Sequence, residues 1–137
     1  MNAKDYLNKA RTIERRIRSR VRQLEELRTL AERTTAALSD IPGSRNVHGR
    51  EDVMTRFIDQ ENEIKKDLDE LMRAKREITN VIKRVPDMDQ RTLLEERYIC
   101  LRTFNEVAKV LRYSPAHTYR IHAEALESVR KILQELD

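Results

Sequence analysis

Apolar residues recur at three- and four-residue steps along most of this chain, separated by charged ones. Ala10, Ile13, Ile17, Val21, Leu24, Leu27, Ala31 and Leu38 form one series. Met54, Phe57, Ile58, Ile64, Leu68, Leu71, Met72, Ile78, Ile82 and Val85 form a second. Such steps return to one helical face, and narrow apolar stripes with charged flanks are the pattern of a coiled-coil seam. The helix breakers fall outside both series. Pro42, Gly43 and Gly49 share the segment 39–50, while Pro86 and Pro115 stand alone. The pattern therefore predicts helices over about 3–38 and 51–85, joined by a loop over 39–50. Each would be about 50 Å long at 1.5 Å per residue. A turn that short favours an antiparallel hairpin. Asn2, three residues before Asp5, is placed to cap the first helix. Arg20, Glu61 and Lys75 intrude at or near seam positions, so the hairpin buries little by itself. It calls for a further partner, either the rest of the chain or a second copy.

After Pro86 the period shortens into three helical segments. The first is expected to open at Asp87 or Asp89 and to carry Leu93, Leu94, Tyr98 and Ile99 inward. Thr103 and Glu106 read as a capping box for a short helix over about Phe104 to Leu111, with Val107, Ala108 and Leu111 inward. Ser114 followed by Pro115 reads as an N-cap and a first helical residue, because the N–H that proline lacks has no intrahelical partner there. The last helix then buries Thr118, Ile121, Ala125 and Val129. A short helix and a longer one joined at Arg112, Tyr113 and Ser114 match a helix-turn-helix. Ala108 supplies the small residue at the crossing, and Tyr113 the apolar residue after the turn. Arg112 stands where glycine is usual, and a positive φ there costs on the order of 1 kcal/mol relative to glycine. Cys100, between Ile99 and Leu101, reads as a small core residue. His117 and His122 lie five apart on different faces and read as structural rather than as a metal pair.

The run Leu94, Arg97-Tyr98, Glu106-Val107-Ala108, Leu111, Tyr113-Ser114 and Ala125-Leu126 resembles region 4 of bacterial sigma factors. With His117, Tyr119-Arg120 and His122 added, it is similar to small phage and prophage proteins of Gram-positive bacteria, late-operon transcriptional activators among them. The resemblance covers roughly residues 93–129. It implies an all-α fold in two parts: a long antiparallel helical hairpin over 1–85, then a sigma-region-4-like three-helix helix-turn-helix domain over 86–137. It further implies double-stranded DNA as a partner, with the helix over about 115–122 in the major groove, and contact with RNA polymerase as a second possibility.

With Thr118, Ile121, Ala125 and Val129 buried, the opposite face carries Ala116, Arg120, Ala123 and Glu127, with His117 and Tyr119 on its flanks. Base edges meet the N-terminal part of such a helix. The planar fork of Arg120 matches the O6/N7 edge of guanine. Ser114 and the free N–H groups of the first turn suit a phosphate. His117 and Tyr119 could each give one hydrogen bond. The plainer alternative for Tyr119 is packing over the short helix. Glu124 and Glu127 would repel phosphate, so only about the first two turns would enter a groove.

Charge changes this picture. The 137 residues carry 28 Lys+Arg against 24 Asp+Glu, net +4. Residues 1–38 are +5, 39–85 neutral and 86–137 −1. The expected DNA-reading part is thus not the basic part. Arg11, Arg15, Arg18 and Arg22 share one face of the first helix and suit a phosphate stripe. The competing reading is that the arginines of this helix pair with Asp67, Asp69, Glu70 and Glu77 of the second.

Other classes fall away. No glycine-rich phosphate loop, paired Cys/His spacing or Ser/His/Asp set is present, so neither catalysis, a metal nor a cofactor is expected. The apolar runs are too short to span a membrane, the first residues have no apolar signal core, and a single Cys suits a reducing cytoplasm. The favoured function is a sequence-specific transcriptional regulator that self-associates through its hairpin. The alternative is a helical interaction or assembly protein, contacting RNA polymerase or serving as a phage packaging adaptor, with little DNA affinity of its own.

Overall fold

The computed structural model describes residues 2–39 and 47–136, and every regular element among them is helical. The elements are α1 (Ala3–Leu7), α2 (Lys9–Ser39), α3 (Val47–Ile82), α4 (Met88–Leu94), a π-helical turn (Glu95–Ile99), α5 (Phe104–Leu111) and α6 (Pro115–Leu136). The fold is all-α. No helix among the described residues is long and apolar enough to cross a membrane.

The chain divides into two compact units, one of residues 14–70 and one of residues 1–13 with 71–137. In the first, α2 and α3 run antiparallel. Arg16 reaches Asp67 at 3.2 Å and also Glu70, while Arg20 reaches Asp67 at 3.1 Å and Glu63 at 2.9 Å. Positions thus rise on one helix as they fall on the other. Apolar burial here is thin. Ile17 is buried, Leu24, Leu27 and Ile64 are half-buried, and Val21, Leu30, Met54, Ile58 and Leu68 are exposed. Pro42 and Gly43 of the expected loop lie outside the described residues. Val47 to Arg50, expected to belong to that loop, are helical. Gly49 costs an exposed helix about 1 kcal/mol relative to alanine, which a helix of this length absorbs.

The second unit is built around α6, on which α1, α4 and α5 all pack. Its core joins Leu7, Ala10, Ile78, Ile82 and Val85 with Leu93, Leu94, Tyr98, Val107, Ile121, Ala125, Val129 and Ile132. A boundary between 85 and 86 would cut through this core. The long helices contribute their ends to it because the C-terminal helices alone have too little apolar surface to close one. α3 stops at Ile82 rather than at Val85, since the residue before a proline is driven out of the helical region. The Arg91 guanidinium then donates to the carbonyls of Val85 at 3.1 Å and Pro86 at 3.3 Å.

The expected caps are in place. Asn2 accepts from the Asp5 N–H at 2.8 Å, Asp87 from Gln90 at 2.9 Å, Thr103 from Glu106 at 3.2 Å and Ser114 from His117 at 3.2 Å. Between α4 and α5 the chain departs from regular helix. Cys100 N–H bonds to Glu95 O at 3.0 Å and Arg102 N–H to Glu96 O at 3.1 Å, wider loops than the α-helical one. The wider turn rotates the following residues, leaving Cys100 exposed rather than in the core.

Among the described residues two other than glycine have positive φ, Leu101 at 58° and Arg112 at 60°. Arg112 closes α5 in the left-handed region, and its side chain is exposed. Arg112→Gly is therefore expected to stabilise the protein by about 0.5–1 kcal/mol, the steric relief less the entropy glycine adds to the unfolded chain. Urea unfolding measures this, and an unchanged or lower midpoint would contradict it.

Candidate nucleic-acid interface

The buried stripe of α6 orients the candidate residues. Thr118, Ile121, Ala125 and Val129 are buried, and Ala108 of α5 is buried with them. Thr118 adds a local anchor, since its N–H and its hydroxyl both donate to Ser114 O at 2.9 Å. With that face fixed, Ser114, Ala116, Tyr119 and Arg120 are exposed, and His117 is half-buried. Arg120 makes no ion pair or hydrogen bond among the described residues. Its fork is available to a ligand.

Aromatic contacts hold the flanking residues. Tyr119 lies 4.7 Å from the Phe104 ring of α5 yet stays 55% exposed, so it packs over the short helix and remains open to solvent. His117 meets the Tyr113 ring edge-on at 4.6 Å. Tyr113 is exposed rather than an apolar plug after the turn, because its hydroxyl donates to Asp89 at 2.8 Å. That bond, with the carboxylate's charge, raises the Tyr113 pKa. The Ser114 hydroxyl caps the His117 N–H, leaving the Ala116 N–H as a first-turn donor.

Beneath this surface lies a cluster that sequence reasoning did not assemble. His122 is buried, faces the Phe104 ring edge-on at 4.8 Å and stacks on Tyr98 at 5.9 Å. The Arg97 guanidinium lies over the other aromatic neighbour, 4.3 Å from the Phe104 centroid. Burial, then the charges of Lys4 and Arg97, push the His122 pKa down to about 4. Its neutral ring shares a hydrogen bond of 2.6 Å between Nε2 and the Tyr98 hydroxyl, with the donor set by the ring tautomer. Phe104 directly after a capping threonine was the available signal, but nothing in the spacing brings Tyr98 to His122.

The arginines of α2 sort into distinct roles. Arg16 and Arg20 make the ion pairs with α3, joining Asp67, Glu70 and Glu63 rather than the full set of acidic residues expected there. Arg11 is withdrawn from the expected stripe. It is half-buried and donates at 3.4 Å to Arg102 O, which also accepts from Arg97 at 2.8 Å. Arg15, Arg18 and Arg22 remain exposed. Arg18 pairs with Glu14 on its own helix, an exposed pair worth little. The two arginine readings thus apply to different residues: 16 and 20 clamp, while 15, 18 and 22 form a cationic face.

Among the described residues no group of His, Cys, Asp and Glu is arranged to hold a metal. Helices carrying a capped, outward-facing segment on a buried stripe define an all-α protein with a candidate binding face on α6. The chain belongs to the family described as "Protein of unknown function (DUF1492)", which matches residues 35–130. No curated protein and no solved structure matches it.

Because His122 binds its proton more weakly in the folded state than unfolded, the unfolded chain takes up more protons below the ordinary histidine range. Stability is therefore expected to be fully present above about pH 6.5 and to fall as pH drops towards about 4. His122→Gln, which keeps a group able to hydrogen-bond with Tyr98, should flatten that slope in urea unfolding between these pH values. An equally steep slope in the variant would assign the dependence to other groups.

Proposed function

We propose that this protein is a sequence-specific DNA-binding transcriptional regulator of the phage and prophage type, related to sigma-factor region 4. The N-terminal two turns of α6 enter the major groove. The observation that carries this reading is the pairing of α5 and α6. A left-handed Arg112 ends one helix and a Ser114 cap begins the next, while the buried Thr118 and Ile121 turn Ala116 and Arg120 outward. This is the geometry by which a second helix offers its first turns to a groove. In it Arg120 reads a guanine edge, Ser114 and the Ala116 N–H contact phosphate, and His117 and Tyr119 serve from the flanks. The ring contacts of Tyr113 and Phe104 support those flanks at little entropic cost on binding.

Arg15, Arg18 and Arg22 supply a separate, sequence-independent attraction for phosphate in this proposal. Arg16 and Arg20, engaged by carboxylates, do not. Self-association through the long helices brings two such chains to one DNA, and RNA polymerase is the natural protein partner of a region-4-like domain.

Two experiments test this reading. DNA recovered with the protein from its host supplies the candidate site, and Arg120→Ala should weaken binding to that site about tenfold or more while weakening random duplex far less. Equal losses on both would remove the base-reading role. No affinity for duplex even at low salt would favour the helical assembly protein instead. For the second, the triple variant R15Q/R18Q/R22Q should flatten the dependence of log affinity on log salt by about 2–3 if all three residues meet phosphate. An unaltered slope would return them to plain surface charge.

A further inference from the structure

α3 carries a second apolar stripe that is exposed. One face holds the half-buried Phe57 and Ile64 and the buried Asp67, which pairs with Arg16 and Arg20 of α2. About 100° around the helix, Met54, Ile58, Leu68 and Met72 are 54%, 50%, 44% and 61% exposed. Glu61 and Lys65 lie between them in the same stripe, and all six fall within a sector of about 80° at 3.6 residues per turn. Neither Glu61 nor Lys65 has an ion-pair partner among the described residues. Four large apolar side chains left in water along about 27 Å of one helix make an unusual surface for a monomer.

The order of these residues specifies the occupant. Reading outward from position 63, Glu61 and Lys65 are equidistant, then Ile58 and Leu68, then Met54 and Met72. The stripe runs apolar–apolar–acid–base–apolar–apolar, so against its own reverse it sets apolar residues on apolar ones and acid on base. Its steps of four, three, four, three and four are those of a coiled-coil seam. We propose that α3 pairs with α3 of a second copy, antiparallel, about a two-fold axis level with residue 63. Met54 then meets the partner's Met72, Ile58 meets the partner's Leu68, and Glu61 meets the partner's Lys65, each contact occurring twice.

An isologous contact of this kind requires a self-complementary surface, and the central acid–base pair supplies it. A parallel arrangement in register would set Glu61 against Glu61 and Lys65 against Lys65, so the charges select the antiparallel pairing. The contact sits on a different face of α3 from the Arg16 and Arg20 clamp and leaves it intact. The proposal deepens the self-association read for the long helices and is independent of DNA recognition. Loss of the dimer leaves the α6 reading standing, and absence of DNA binding leaves the dimer standing.

The test is the mass of the full chain by sedimentation equilibrium over a range of concentrations, with far-UV circular dichroism to show that each variant keeps its helices. The wild-type chain should be dimeric. Glu61→Lys and Lys65→Glu should each raise the dimer dissociation constant about tenfold or more, since each sets like charges together twice. Mixing the two single variants should restore dimerisation to within about threefold of wild type. In the mixed pair every position 61 again faces an opposite charge at 65 of the other chain. That rescue in trans separates a contact between chains from the Glu61–Lys65 spacing within one helix. A monomeric wild type, a dimer indifferent to either reversal, or a mixture that stays dissociated would overturn the proposal.

Discussion

Every helix of the C-terminal unit depends on one face of α6. Thr118, Ile121, Ala125, Val129 and Ile132 present a stripe that α1, α4 and α5 must cover together, because no one of them is wide enough to do so. The small side chain of Ala125 lets neighbouring elements approach, and the bulky Ile121 and Val129 on either side fill the space that remains. This constraint reaches well beyond the C-terminal segment. It draws Leu7 and Ala10 from one end of the chain, and Ile78, Ile82 and Val85 from another, into a single core. It also fixes by exclusion what α6 turns outward, so Arg120 is exposed for the same reason that Ile121 is buried.

Features governed by neighbours in sequence were legible. Asn2, Asp87, Thr103 and Ser114 each cap the helix they precede, since a short polar side chain before an apolar period has few other uses. The α6 stripe was legible because its period is unbroken over four turns. Features that depend on a local change of period were hidden. The π-helical turn at Glu95–Ile99 alters the angle between successive residues, so Cys100 emerges where a regular helix would have buried it. Likewise Gly49 signalled a loop, yet a long exposed helix tolerates one glycine. The limits of the units were not legible, since apolar periodicity says which face is covered but not which segment covers it.

The arginines illustrate the same division. Arg11, Arg15, Arg18 and Arg22 share a face by spacing, and spacing alone treats them as equivalent. Tertiary structure separates Arg11, whose guanidinium meets the Arg102 carbonyl, from the three that stay exposed. Asp67 explains why Arg16 and Arg20 face the other way. A carboxylate only 5% exposed carries a desolvation cost that is offset when two guanidinium groups flank it. In a unit with few buried apolar side chains, that clamp fixes the relative register of α2 and α3 and thereby which positions of α3 are left outward.

The charge distribution and the α3 stripe bear on one another. Residues 86–137 are net −1, so under the proposed function a single α6 domain would have little long-range attraction for DNA and would rely on a few close contacts. A regulator built this way gains from pairing rather than from added charge. In the proposed dimer, once one α6 were bound, the second would meet DNA at an effective concentration set by the geometry of the assembly, which can raise affinity by about 10²–10⁴ without any new contact. The same proposed pairing would double the cationic faces formed by Arg15, Arg18 and Arg22. It also imposes two-fold symmetry, so a dimer joined through α3 would select a DNA site with two inverted halves, whose spacing follows from the assembly rather than from α6. On this reading the specificity of a nearly neutral reading head resides partly in a helix that touches no base.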